Sequence, residues 1–295
     1  MAKRLWTVEE DLIITNGVKA GKNFRAIVPD LDGRTRSAIM QRSCILGLKL
    51  RRGNRKYTYN PRFFDVPNKI NAYVAGFLAA DGSVIKSKSG KSFILSVCLQ
   101  RRDAGFLLAL IDLMGADCPL CYYESNGRKY AKFAICATEW QEPLERIWGI
   151  IQSKTWKLKE PIIPKDLMRD YWKGYTDGDG TLYTKGHPFE IKLCAAIPDI
   201  LIGFKDYANT FPSFDPFNRI PKLRQCRGLW VFSRGGHGGI LLAHDIYSSN
   251  SPVLPRKYNS LRKYLMKNPE KGLSLPPIKE AYKRCGLDWD KYKDV

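Results

Sequence analysis

Apolar and polar positions along this chain change period in a regular order. From about Asn68 to Asp81 the apolar residues follow a helical spacing, and after Gly82 the period becomes alternating. Ser83 to Ser87 reads as a strand and Ser89-Gly90 as a turn. In the partner strand, Ser92 to Gln100, Phe93, Leu95, Val97 and Leu99 line one face and Ser96, Cys98 and Gln100 the other. Asp103 to Met114 is an amphipathic helix. Strands are expected at Pro119–Glu124 and Tyr130–Ala137, joined by the hairpin signal Asn126-Gly127. A helix from Thr138 to Ile151 closes the set.

The next stretch repeats this order of helix, two strands, helix, two strands, helix. The pattern predicts a helix over Asp166–Asp179 and a hairpin of Thr181–Thr184 with Phe189–Ala195 around Lys185-Gly186-His187-Pro188. A helix over Pro198–Asn209, strands at Asn218–Arg224 and Gly228–Arg234, and a helix over Gly239–Tyr247 complete it. An internal repeat of this kind implies two similar halves. The fold class is therefore α+β: two pseudo-symmetric αββαββα halves, whose sheets carry helices on one face and leave the other free.

The first sixty residues have a different pattern. Thr7-Val8-Glu9-Glu10 is a capping box that opens a helix to about Gly17. A second short helix follows Asn23, with Phe24 and Ile27 on its buried side. Gly33-Arg34-Thr35 turns into a third helix, about Arg36 to Leu46, with Ala38, Ile39 and Ile45 facing inward. Three short helices with a turn before the last match a helix-turn-helix, whose exposed Arg34, Arg36, Gln41 and Arg42 would reach phosphates or base edges. A basic link, Arg51, Arg52, Arg55 and Lys56, would lie along phosphates or enter a minor groove. The expected boundaries are 1–56 for this domain with its link, 57–156 and 157–266 for the two halves, and 267–295 for a C-terminal extension of no readable role.

Composition adds a partner. The net charge of +20 over 295 residues favours a polyanion, and nucleic acid before a membrane surface, because the charge is spread along the chain. No stretch is long and apolar enough for a membrane span. The opening Met-Ala-Lys-Arg-Leu-Trp lacks an apolar signal core, so an intracellular protein with reduced thiols is expected. Cys118-Pro-Leu-Cys121 is the sole CxxC, and no zinc is expected.

Two stretches carry the chemistry, Val74-Ala75-Gly76-Phe77-Leu78-Ala79-Ala80-Asp81-Gly82 and Trp172-Lys173-Gly174-Tyr175-Thr176-Asp177-Gly178-Asp179-Gly180. Small residues four apart on one helical face, Gly76 with Ala80 and Gly174 with Gly178, let two backbones approach. Each helix then ends on an aspartate before a glycine, read as the usual C-cap. The helix dipole is negative at that end, so two such misplaced carboxylates suggest a cation between them.

These stretches and the repeat around them resemble the LAGLIDADG homing endonucleases. Trp6-x-x-Glu9-Glu10-Asp11, Phe24-x-x-Ile27 and Gly33-Arg34-Thr35 resemble a Myb/SANT-type repeat. The resemblance implies that the two motif helices form the interface between the halves, that Asp81 and Asp179 bind Mg2+ (or Mn2+), and that the Ala80 and Gly178 carbonyls supplement them. Asp177 stands at the family's earlier acid in the second motif, where the first has Ala79. Polar or basic groups near the metal would be Gln100 in the first half and Arg234 in the second, their counterparts near Ala195 and Ala137 being apolar. That difference suggests unequal cutting of the two strands. On the free sheet faces Ser96, Gln100, Tyr130, Lys132, Glu190 and Lys192 would read base edges across a DNA-binding saddle. The expected activity is a monomeric, metal-dependent endonuclease that cuts double-stranded DNA at a long, specific site. The alternative is a binder that keeps the fold without cutting, an RNA maturase or a transcription regulator.

Overall fold

The computed structural model describes residues 5–20, 27–31, 33–48, 57–86, 92–184, 189–211 and 222–295. The Asn23 helix with Phe24, the basic link of Arg51, Arg52, Arg55 and Lys56, and the turns at Ser89-Gly90 and Lys185–Pro188 lie outside these residues. The chain separates into two compact units, Met1–Lys56 and Tyr57–Val295. Among the described residues no helix is long and apolar enough to cross a membrane.

In the first unit, α1 (Val8–Lys19) opens on the expected capping box. Thr7 Oγ1 accepts from Glu10 N–H at 3.3 Å, and Glu10 Oε2 accepts from Thr7 N–H at 3.0 Å. Helix α2 (Arg36–Ile45) is capped by Thr35, whose hydroxyl accepts from Ala38 N–H. Ile14, Ile27, Leu31 and Ile39 form the small core. Ile45, expected inward, is 66% exposed, and Leu46 and Leu48 pack against the core in its place.

In the second unit each half has the order read from the sequence. The first half comprises α3 (Lys69–Asp81), β1 (Gly82–Lys86), β2 (Phe93–Gln100), α4 (Ala104–Leu113), β3 (Cys121–Ser125), β4 (Arg128–Cys136) and α5 (Gln141–Arg146). The second comprises α6 (Met168–Asp179), β5 (Thr181–Tyr183), β6 (Glu190–Ala195), α7 (Asp199–Ala208), β7 (Arg224–Cys226), β8 (Leu229–Gly235) and α8 (Gly236–Ser248). The strands make two antiparallel four-stranded sheets with the same order, β1-β2-β4-β3 and β5-β6-β8-β7. Helices α9 (Pro255–Lys267) and α10 (Ile278–Lys283) follow.

Strand alternation decides the faces. Phe93, Leu95, Val97 and Leu99 are buried toward the helices, while Gln100 is exposed and Cys98 half-buried on the other side. Three elements depart from the sequence pattern. The helix expected over Thr138–Ile151 is a single 3-10 turn followed by the short α5, because the chain turns left-handed at Gly149 (φ 66°). Of the strand expected over Asn218–Arg224, residues 218–221 lie outside the described residues, and the strand observed next is β7, Arg224–Cys226. Gly82 and Gly180 are not left-handed caps. Their φ values of −72° and −78° are extended, and glycine is required there by crowding: an added Cβ would stand 2.5 Å from the Leu78 or Thr176 carbonyl oxygen.

Candidate active site

Helices α3 and α6 form the centre of the second unit, buried on all sides over Asn71–Ala79 and Asp170–Asp177. Their glycines set the crossing. A Cβ on Gly76 would run into the Tyr171 carbonyl oxygen, and one on Gly174 into the equivalent Tyr73 carbonyl, so each backbone lies against the other. Further along, Gly178 leaves room for the Ala80 methyl group. Close parallel contact over this length carries both helices to the same end, where Asp81 and Asp179 come together.

The rest of the crossing is fixed by a buried carboxylate. Asp177 accepts hydrogen bonds from the Tyr73 hydroxyl on α3 (2.6 Å), the Tyr247 hydroxyl on α8 (2.6 Å) and the Leu254 N–H (2.7 Å). Burial pushes its pKa up, and the three donors together with Lys257 oppose that shift. Asp177 is thus a structural tie between the motif helices. Lys173, also buried, donates to the Ser249 and Ser251 carbonyls and the Ser249 hydroxyl.

The paired aspartates have different surroundings from Asp177. Asp81 is half-buried and Asp179 opens to solvent. Loss of water pushes the Asp81 pKa up to about 6, the adjacent Asp179 carboxylate adds to the rise, and Lys257, Lys154 and Arg256 counter it. Asp179 is raised by burial as well, with Lys154 and then Lys257 counteracting. A cavity of about 80 Å³ lies between Lys154 and Asp179, walled by Ala80, Tyr175 and Ala195, large enough for a few water molecules.

Two lysines not expected at the site occupy these helix ends. Lys154 Nζ donates to the Ala79 and Ala80 carbonyls at 2.5 and 2.6 Å. Lys257 Nζ donates to the carbonyls of Thr176, Asp177, Gly178 and Gly180 at 2.5–3.0 Å. Cations at helix C-termini answer the dipole and satisfy orphan carbonyls. Burial lowers both ammonium pKa values, that of Lys257 to about 8. Nearby carboxylates oppose that fall, Asp179 and then Asp81 at Lys154, and Asp177 before Asp81 and Asp179 at Lys257. A signal for them exists in the repeat. Lys154 lies 75 positions from Ala79, and Lys257 lies 80 from Asp177, the residue equivalent to Ala79.

The Ala80 and Gly178 carbonyls, expected as additional metal ligands, each accept a hydrogen bond from an ammonium group. Two adjacent carboxylates, partly desolvated on the protein side and open to solvent at Asp179, are a fitting seat for a hard divalent cation, which prefers oxygen donors. Among the described residues no group of three or more His, Cys, Asp or Glu side chains converges as a metal site.

The remaining expected site residues are placed as follows. Gln100 is exposed at the end of β2, opposite Tyr130 and on the same face as Cys98. Arg234 is a correction. β8 extends to Gly235, and the register sets Arg234 opposite Ile191 on the helix-covered face. There it is buried, and its guanidinium donates to the Ala208 and Phe211 carbonyls at the end of α7. Ser96 has the parity of the free face but is only 6% exposed, so it offers little to a ligand. Lys132, opposite Cys98 and Cys121, and Lys192, opposite Thr181 and Ser233, are half-buried on the free faces.

In the first unit Arg34 and Arg42 are also corrections. Arg34 pairs with Glu10 (2.8 and 2.6 Å), donates to the Leu5 carbonyl and lies 4.1 Å over the Trp6 ring. Arg42 pairs with Asp11 (2.7 and 2.5 Å). Acids in the first turn of α1 thus hold Arg34, in the turn before α2, and Arg42, within α2, withdrawing both from an outside phosphate. Gln41 is exposed, and the Arg36 side chain lies outside the described set.

No protein-family model and no curated protein matches this chain. Solved structures do. Mesophilic variants of the homing endonuclease I-DmoI align at 15% identity over 66% of this chain and 97% of theirs, with a TM-score of 0.45. The LAGLIDADG meganuclease I-AabMI bound to uncleaved DNA aligns at 12% identity over 76% of this chain and 100% of its own, with a TM-score of 0.44. I-DmoI in complex with DNA and Mn aligns at 14% identity over 64% and 99%, with a TM-score of 0.41. These likenesses are slight in both sequence and superposition.

Proposed function

We propose that this chain is a LAGLIDADG-type homing endonuclease, a metal-dependent enzyme that cuts both strands of double-stranded DNA at a long, specific site. The observation that carries this reading is the meeting of Asp81 and Asp179 at the shared end of α3 and α6, each with its pKa raised. A protein of net charge +20 that only binds phosphates gains nothing from two clustered carboxylates beside them.

Asp81 and Asp179 would hold Mg2+ or Mn2+, which would supply Lewis-acid stabilisation of the phosphate and a water of lowered pKa. Lys154 and Lys257 keep positive charge beside the reacting phosphate, and their carbonyl bonds fix the direction of both helix ends. The cavity between Lys154 and Asp179 has an ammonium and a carboxylate to orient a hydrolytic water. Gln100 and the lysines at 132 and 192 would line the DNA, and one chain supplies both carboxylates, so a monomer suffices. Gln41, Arg36 and the link of Arg51, Arg52, Arg55 and Lys56 would extend the contact.

One observation favours the non-cutting alternative. Two ammonium groups already satisfy the helix ends, and a binder would need no metal there. Incubating the protein with a randomised DNA library and Mg2+, then sequencing cut ends, separates the two. Cuts converging on one site support the nuclease. Site-specific retention without cutting, with Mg2+ or Mn2+, supports the binder.

A further inference from the structure

The C-terminal segment 268–295 crosses from the second half onto the first. Tyr292 packs its backbone carbonyl against Gly105 of α4, where an added Cβ would collide with it, and its hydroxyl donates to Asp112 on the same helix at 2.6 Å. The preceding residues stay bound to the second half. The Ser274 carbonyl meets His244 Nε2, Arg262 donates to the Leu275 carbonyl, and Tyr258 donates to the Pro276 carbonyl.

The linker between the halves makes the reciprocal crossing. Glu160, leaving the first half, lies against Gly203 of α7 in the second, so closely that a Cβ there would touch its carboxylate. Gly105 and Gly203 are separated by the same offset as Asp81 and Asp179, and they are equivalent positions of the repeat. Each half therefore offers the same helical glycine as a seat for the chain leaving the other half.

The C-terminal segment also connects to the motif helices. The Tyr282 hydroxyl donates to the Val253 carbonyl at 3.3 Å, the adjoining Leu254 N–H donates to Asp177, and Asp177 accepts from Tyr73 of α3. Tyr282 is 1% exposed and stacks edge-on with Trp289 at 4.8 Å. The Asp103–Arg256 pair (3.1 Å) adds a second tie from the first half to the start of α9, beside the lysine that caps α6.

We propose that residues 268–295 are a strap that fixes the angle between the halves, with Tyr292 on Gly105 as its positioning contact. By holding that angle it sets the separation of Asp81 and Asp179. The consequence for cutting rests on the endonuclease reading, whereas the strap itself does not.

Gly105→Ala tests it in the full chain. Alanine favours a helix, so α4 remains, and the new methyl group displaces the Tyr292 backbone. Tyr292→Phe is the milder variant, removing only the bond to Asp112. Hydrogen exchange without DNA is the first readout. Faster exchange in Gly105→Ala at residues 78–82 and 176–180, remote in sequence from the substitution, is expected, with a smaller rise in Tyr292→Phe. Changes confined to α4 and the tail would overturn the strap, whatever happens with DNA. The second readout is the ratio of nicked to linear plasmid carrying the recovered site. A rise of at least threefold in Gly105→Ala, with metal-free binding retained, is expected, since a loosened joint uncouples the two cuts. An unchanged ratio with accelerated exchange would overturn the positioning role, and absence of cutting by the wild type would overturn the endonuclease reading alone.

Discussion

Replacing Lys257 by methionine removes the ammonium that serves four carbonyls while keeping most of the side-chain volume. An ammonium has three protons, so at any moment three of the bonds to Thr176, Asp177, Gly178 and Gly180 are made. At about 2 kcal/mol each for bonds to a buried charge, their loss is worth about 6 kcal/mol. The variant also removes a cost. A folded pKa near 8 in place of 10.5 means that holding this lysine charged costs about 3 kcal/mol. The net expectation is a destabilisation of about 3 kcal/mol, in the range for removing one member of a buried charged contact. Lys154→Met removes bonds to only two carbonyls from a half-buried side chain and should cost less than Lys257→Met. Urea unfolding followed by the fluorescence of the buried Trp140, Trp148 and Trp172 measures both. The pH dependence gives an independent check. The folded pKa of Lys257 lies below its unfolded value, so the unfolded state binds more protons between about pH 8 and 10.5 and this group makes stability rise with pH there. Lys257→Met should lose that rise. A loss under about 1 kcal/mol, or one no larger than for Lys154→Met, would refute the assignment of Lys257 as the main clamp of α6.

Further outcomes follow from the same geometry. In metal-free buffer the raised pKa of Asp81, about 6 against 3.8 unfolded, makes its contribution more favourable as pH falls from about 6 to 4. Asp81→Asn should flatten that slope and stabilise the apo-protein at neutral pH by about 1–2 kcal/mol, after allowance for its partial exposure, as read by thermal unfolding in chelator. Gly174→Ala should destabilise by about 2 kcal/mol, because backbone overpacking outweighs a gain of about 1 kcal/mol in helix propensity. Wild-type stability in urea would place the helices farther apart. Tyr73→Phe leaves Asp177 with two of its three donors and should cost about 1–2 kcal/mol in the same unfolding assay, with an unchanged value showing that the bond is not made.

Much of the second unit was legible because its signals are local. Alternation in β2 separates buried Phe93, Leu95, Val97 and Leu99 from Cys98 and Gln100 without any tertiary knowledge. The glycines at 76 and 174 mark a helix crossing by their spacing alone, and the repeat doubles the evidence. Less was legible where a side chain's role depends on what reaches it from elsewhere. Lys154 follows a left-handed Ser153 (φ 60°) in an irregular linker, and Lys257 reads as one of several basic residues in an amphipathic helix. Arg234 was misread because β8 continues one residue past it to Gly235, so alternation directs it into the core. Arg34 and Arg42 read as surface bases until the acids of α1 are seen beside them. The C-terminal segment has short turns and little periodicity, and its place is set by contacts with both halves.

The central claim is that Asp81 and Asp179 together form one metal-dependent cutting centre. On the site recovered from the library, with Mg2+ present, the wild type should linearise a plasmid, whereas Asp81→Asn and Asp179→Asn should each fail to do so while binding the same DNA within a few-fold of wild type in chelator. Double-strand cutting at the wild-type rate by either variant would contradict it.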